Sequence, residues 1–329
     1  MSEALRNFSL PDGSLFPSLG LGTWKIPDAD APSLVQDAVR LGYRHIDCAC
    51  DYGNEPAVGK GITDALAAGL CARDDLWVTS KLWNTFHRPE HVRAACERSL
   101  KDLGLDELDL YLVHFPIALE YVDFDERYPP GWFHDPDAAE PRMKPVAVPY
   151  AETWGAMEEL QRAGLVKRIG VSNLTVSILR DVLSYASIRP AVHQVEMHPY
   201  LTQQKLLRFC DEEGIAVTAF SPIGADSYIP LGMAATEDRV MDNPVVRGIA
   251  EAHGRSVVQV LLRWAVQRGT VAIPKTQNPT HLEENIQIYD FELSEDQMAS
   301  IDALDQHRRF NDPGVFCEAA FNTYYPIFD

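Results

Sequence analysis

The sequence predicts a closed (β/α)8 barrel, and three observations predict it. Eight short apolar runs rich in β-formers are spread along the chain. Seven of them are followed closely by a segment of helical period. The 329 residues, 46% of them apolar, suffice for one such barrel and its core. Alternating β and α argues for a parallel sheet, and eight units are what closure needs. One barrel absorbs the whole length, so residues 1–329 are read as a single domain.

In chain order, FSLPDGSLFPSLG comes first and reads as a hairpin with an Asp-Gly turn, placed to plug the bottom of a barrel. The eight runs follow. They are LGLGTW (19–24), YRHIDCA (43–49), LWVTSKLW (76–83), LDLYLVHF (108–115), VKRIGVSN (166–173), AVHQVEMH (191–198), IAVTAFSP (215–222) and TVAIPK (270–275). Between them lie helical stretches such as PSLVQDAVRLG and PEHVRAACERSLKDLG, often closed by glycine, a usual C-terminal stop. A long acidic, aromatic and Pro-rich insertion, EYVDFDERYPPGWFHDPDAAEPRMKPVAV, interrupts the repeat after the fourth run and reads as a loop of a length that is usually functional or disordered. The tail after Leu304 reads as irregular, with aromatics that dock it on the body.

Composition excludes several classes of partner. The formal net charge of -19 repels phosphate backbones and anionic membranes. No apolar run approaches the ~18–20 residues that span a bilayer. The first residues contain no apolar signal-peptide core, so the expected compartment is the cytosol. The six cysteines are scattered and form no disulfide framework. Cys48 and Cys50 are too close for a zinc pair and have no second pair, so no metal is expected.

Active sites of such barrels lie at the C-terminal ends of the strands. Asp47 closes the second run and Tyr52 lies just beyond it. Lys81 ends the third run and His114 the fourth. Each has an ordinary structural role open to it: a helix cap, a half-buried aromatic, a solvated strand end, a core histidine. Together they come from three consecutive strands and can converge at one mouth. They suggest proton transfer. A tyrosine hydroxyl titrates near ~10 unaided, and a neighbouring ammonium is expected to lower that value. An aspartate can hold the lysine, and a histidine can orient a substrate oxygen. GLGTWK (20–25) begins like a dinucleotide fingerprint but has Lys25 where the third glycine belongs, so any nucleotide is held another way.

The stretch from Gly42 to Gly59, G-Y-R-H-I-D-C-A-x-x-Y-x-x-E-x-x-x-G, resembles the signature of the aldo-keto reductases. VKRIGVSN and IPKTQNPTHLEEN resemble two further signatures of that family, and the likeness runs from about Leu10 to the end of the chain. The resemblance implies a (β/α)8 barrel with NADP(H) or NAD(H) extended across its mouth. It makes Asp47, Tyr52, Lys81 and His114 a catalytic tetrad, with Tyr52 as general acid in reduction and base in oxidation. It places Ser172, Asn173 and Gln194 on the nicotinamide amide. It also puts Phe220 under the ring, where relatives usually have tyrosine, with Ser221 next to it.

Lys275 and Thr276 match the family's 2′-phosphate contacts, while His281 replaces the expected arginine, which weakens preference for NADP(H) and admits NAD(H). Asn285 matches the adenine contact, with Glu284 in the same motif. ERYPPGWF, HFPIA and RRFNDP are nearest to xylose reductases. That likeness implies sugar-hydroxyl contacts at Asp51 and Asn311 and an apolar wall of Trp24, Trp83 and Phe115. The expected partner is a small carbonyl or alcohol substrate, and the chain is a monomer or homodimer. Two alternatives stay open: the same chemistry on a bulky secondary alcohol or ketone, and a non-catalytic cofactor-binding regulatory barrel.

Overall fold

A computed structural model describes residues 6–329. Two short antiparallel strands, β1 (Asn7–Ser9) and β2 (Leu15–Pro17), form the hairpin. Gly13, at φ 82°, makes its turn. Eight parallel strands follow: β3 (Leu21–Gly22), β4 (His45–Asp47), β5 (Trp77–Leu82), β6 (Leu110–Val113), β7 (Ile169–Ser172), β8 (Val192–Glu196), β9 (Ala216–Phe220) and β10 (Thr270–Ile273). They pair in sequence order. The ring closes where Gly20 N–H donates to Ala272 O and Ala272 N–H to Ser18 O, both at 2.9 Å. Gly22 explains part of the glycine-rich start. A Cβ there would meet the Ile273 carbonyl at 3.0 Å, so closure needs a bare backbone.

The outer layer is helical: α1 (Ala31–Leu41), α2 (Glu55–Ala67), α3 (Pro89–Leu103), α4 (Tyr150–Arg162), α5 (Val176–Tyr185), α6 (Gln204–Glu212), α7 (Pro244–His253), α8 (Val257–Gln267), α9 (Pro279–Ile286), α10 (Glu295–Asp302) and α11 (Pro313–Phe321). Sequence chemistry sets their ends. Proline opens α3 at its first turn, and left-handed Gly104 closes it. Ser256 and Gln259 form a reciprocal capping box on α8. The tail differs from its sequence reading. It contains α11, because the Asp312 side chain accepts from Gly314 N–H and caps a segment whose Phe316 and Cys317 are buried.

Two apolar layers result. The larger fills the space between strands and helices. The smaller lies inside the barrel, where Leu110, Leu112, Val192 and Val271 meet Leu10 and Phe16 of the hairpin. Phe16 stacks on Trp77 at 4.3 Å, so the hairpin does close the barrel floor. The open mouth is therefore at the opposite end, where the strands finish.

One buried acid lies between α2, β5 and α3. Glu55 accepts from Ser80 Oγ at 2.5 Å and Ser99 Oγ at 2.9 Å. Burial pushes its carboxyl up to about 7. A carboxyl raised on folding binds its proton more tightly in the native state, so stability falls as pH rises from the unfolded value to the folded one. Glu55→Gln should abolish that loss. Between about pH 5 and about pH 8, urea unfolding of wild type is expected to lose about 3 kcal/mol more than the variant. Equal losses would show that Glu55 titrates normally.

Candidate active site

The strand ends bring the sequence-predicted residues together. Asp47 and Lys81 are fully buried at the ends of β4 and β5. Lys81 Nζ donates to Asp47 Oδ1 at 2.6 Å, to the Cys48 carbonyl at 2.8 Å and to Tyr52 Oη at 3.2 Å. The second oxygen of Asp47 accepts from Gln194 Nε2 at 2.7 Å. Asp47 therefore fixes a cation on one side and an amide from β8 on the other. A buried ammonium needs this many acceptors to stay charged.

Tyr52 stands at the cavity wall in front of Lys81. Its ring meets His114 edge-on at 6.0 Å. The phenol is pushed well above its usual value, by burial first and by Asp47 and Asp51 next. The sequence alone suggested the opposite direction, through Lys81. Burial and two carboxylates outweigh one ammonium here, so Tyr52 keeps its proton through neutral pH. His114 Nδ1 lies 3.1 Å from Asp51 Oδ1, which joins the two residues in one polar corner.

A cavity of about 450 Å³ opens above this corner. Trp24, Trp83, Phe115 and Trp132 line it, with Asp51 and Asn311 among its polar groups. Trp83 and Trp132 cross edge-to-face at 4.8 Å, so the insertion loop carrying Trp132 belongs to the wall. Helix α11 adds Val315, Phe316 and Phe321. Asn173, Gln194, Phe220 and Ser221 form the opposite wall. Asn173 and Ser221 both adopt left-handed backbone, at φ 60° and 51°, which turns the chain sharply at the ends of β7 and β9. Asn173 Nδ2 donates to the His114 carbonyl at 2.9 Å, and its Oδ1 is buried without a partner. Ser172 is buried beside Asn173, and its hydroxyl donates to the Gln194 carbonyl at 2.8 Å.

A second cavity, of about 300 Å³, continues the first; Ile223, Pro274 and Lys275 border both. Thr276, His281, Glu284 and Asn285 line it. His281 Nδ1 is 3.4 Å from Thr276 Oγ1. Burial holds the lysine ammoniums of Lys25 and Lys275 below their usual range, and Lys275 adds to the push on Lys25. Lys25 crosses to the loop after β9 and donates to the Ser227 carbonyl at 2.8 Å.

A model of the Aldo/keto reductase family matches residues 18–306. The chain belongs to that family. It is 44% identical to a "Probable NAD(P)H-dependent D-xylose reductase" of Arthroderma otae, over 97% of this chain and 95% of the relative. A protein with the same description from Emericella nidulans is 45% identical, over 92% of this chain and 95% of the relative. Among solved structures, the aldose reductase of Schistosoma japonicum superposes with a TM-score of 0.84, at 34% identity and 97% coverage of both chains. Aldo/keto reductase membership and barrel geometry thus agree.

The residues of this aldo/keto reductase fit an extended nicotinamide dinucleotide. Asn173 has a buried acceptor facing no protein donor, as an amide ligand would require. Lys275 borders both cavities, and its charge bears on nearby Lys25, a pair of ammoniums that an anion would relieve. Sequence reasoning missed Lys25, Tyr228 and α11. Lys25 looked only like a broken glycine motif. Tyr228 Oη pairs with Ser221 Oγ at 2.8 Å, a contact within a loop that no periodicity marks.

Proposed function

We propose that this aldo/keto reductase reduces the aldehyde of open-chain aldoses, xylose-like sugars first, with NADPH or NADH. The observation that carries the proposal is the chain Asp47–Lys81–Tyr52, at 2.6 and 3.2 Å, behind a cavity where the polar groups Asp51, His114 and Asn311 join the aromatic rings of Trp24, Trp83, Phe115 and Trp132. The cofactor, when bound, supplies the hydride. Every other task falls to the protein. His114 and Tyr52 hold the carbonyl oxygen, and Tyr52 gives it a proton. Lys81 then neutralises the phenolate that forms, and Asp47 keeps Lys81 in place. Oxidation of the alcohol reverses these roles. It needs the phenolate first, which burial and two carboxylates oppose, so oxidation is expected to speed up as pH rises above neutral.

Asn173 and Gln194 are suited to the carboxamide, and Phe220 offers a ring to stack on. Lys275, Thr276, His281, Glu284 and Asn285 would hold the adenosine end. Asp51 and Asn311 are suited to hydroxyls, since a site built to bond hydroxyls rejects analogues without them. Residues 1–329 would act as one domain in the cytosol, as monomer or homodimer. Among the described residues no helix is long and apolar enough to cross a membrane.

Loss of NADPH or NADH absorbance with D-xylose, against n-pentanal of equal chain length, tests the substrate. Xylose should be turned over with both cofactors. Turnover of pentanal alone would overturn the sugar pocket.

His281→Arg tests the cofactor subsite separately. Arginine adds a charge-assisted bond to a 2′-phosphate, so the ratio of kcat/KM for NADPH over NADH should rise by about ten-fold. An unchanged ratio would mean that position 281 does not face the phosphate.

A further inference from the structure

Besides Glu55, the proposed tetrad leaves a second fully buried carboxylate unused. Glu196 ends β8, two residues after Gln194, so both point to the same side of the strand. It is wholly inaccessible to solvent. Its Oε1 accepts the backbone N–H of Phe310 at 2.8 Å, and its Oε2 accepts the N–H of Asn311 at 2.8 Å. His198 Nε2 lies 2.8 Å from Oε1. Thus one barrel side chain holds two successive amides of the C-terminal loop, across 114 and 115 residues of sequence.

The surroundings reinforce this clamp. His198 stacks on Phe310 at 5.0 Å, and Phe310 stacks on Tyr228 at 5.9 Å. Tyr228 in turn bonds Ser221 at the cavity wall. Arg309 is half-buried and feels the charge of Glu196, its guanidinium 3.6 Å over the Phe328 ring. Upstream, the loop has other anchors. Gln306 and Arg308 N–H both donate to the Tyr200 carbonyl. Glu196 holds the backbone where the chain enters the cavity with Asn311.

We infer that Glu196 is a positioning residue for substrate selectivity: it fixes the backbone of Phe310 and Asn311 so that the Asn311 amide faces the substrate. Its effect on sugars rests on the reading above; the clamp itself does not.

Glu196→Gln tests both parts. The amide keeps the shape but replaces one acceptor with a donor, so one loop N–H faces an N–H. Hydrogen exchange of the full-length protein should show the Phe310 and Asn311 amides exchanging about ten-fold faster or more, with β8 and β9 unchanged. KM for D-xylose should rise about ten-fold, while kcat/KM for n-pentanal stays within about two-fold. Unchanged exchange at 310–311 would overturn the clamp. Equal losses on xylose and pentanal would reduce Glu196 to a structural role. If wild type does not turn over xylose, the sugar reading fails, and the exchange result alone decides the clamp. Should Glu196→Gln fail to fold, Glu196→Asp keeps the charge, shortens the reach by one methylene and carries the same measurements.

Discussion

Tyr52→Phe is expected to reduce turnover about a thousand-fold while leaving NADPH binding within about two-fold. The variant loses one oxygen and no packing. Its ring keeps the edge contact with His114 at 6.0 Å, and Asn173, Gln194 and Phe220 stay where they are. What disappears is the cavity hydroxyl that touches Lys81, at 3.2 Å. Water cannot replace it with the same geometry, and Lys81 lies behind the ring, held by its two remaining bonds to Asp47 and the Cys48 carbonyl. Steady-state kcat for an aldehyde and a fluorescence titration with NADPH check the two halves separately. A loss under ten-fold would remove Tyr52 from the chemistry. A parallel loss of cofactor binding would make its role structural.

Asp47→Asn is expected to be the most destabilising single change at the site, by about 3–5 kcal/mol, because it strands a buried ammonium. Lys81 has no solvent exposure, so water cannot compensate. Turnover should fall as well, by about a hundred-fold, as Lys81 loses the partner that aims it at Tyr52. Lys81→Met alone strands the opposite charge. The double variant removes both charges and should be more stable than the sum of the two losses predicts, since it leaves no unpaired ion. Urea denaturation of all four proteins measures this. Additive losses would mean that Asp47 and Lys81 stabilise the fold independently, against their 2.6 Å contact.

Much of this was legible in the sequence, for a physical reason. Barrel strands are buried on both sides, so each reads as an apolar run, and all eight runs contain a strand. Their limits were less legible. The run at 43–49 supplies only His45–Asp47, because pairing with β3 and β5 ends there and Cys48 begins the turn toward Tyr52. The four chemical residues stood out because a polar side chain closing an apolar run must sit at a barrel mouth. Direction of titration was not legible: Lys81 is visible as a neighbour in sequence pattern, whereas the burial that outweighs it is a property of the assembled wall. Nor was the Glu196 clamp, since nothing in AVHQVEMH tells which of its polar residues meets a loop more than a hundred residues away.

The measurement closest to the central claim follows the label. NADPH carrying deuterium at both C4 positions is incubated with D-xylose and the wild-type enzyme, and the product is examined by mass spectrometry. The account predicts xylitol with one deuterium on C1, and next to none from Tyr52→Phe under the same conditions. Unlabelled xylitol, no xylitol, or equal yields from the two proteins would contradict it.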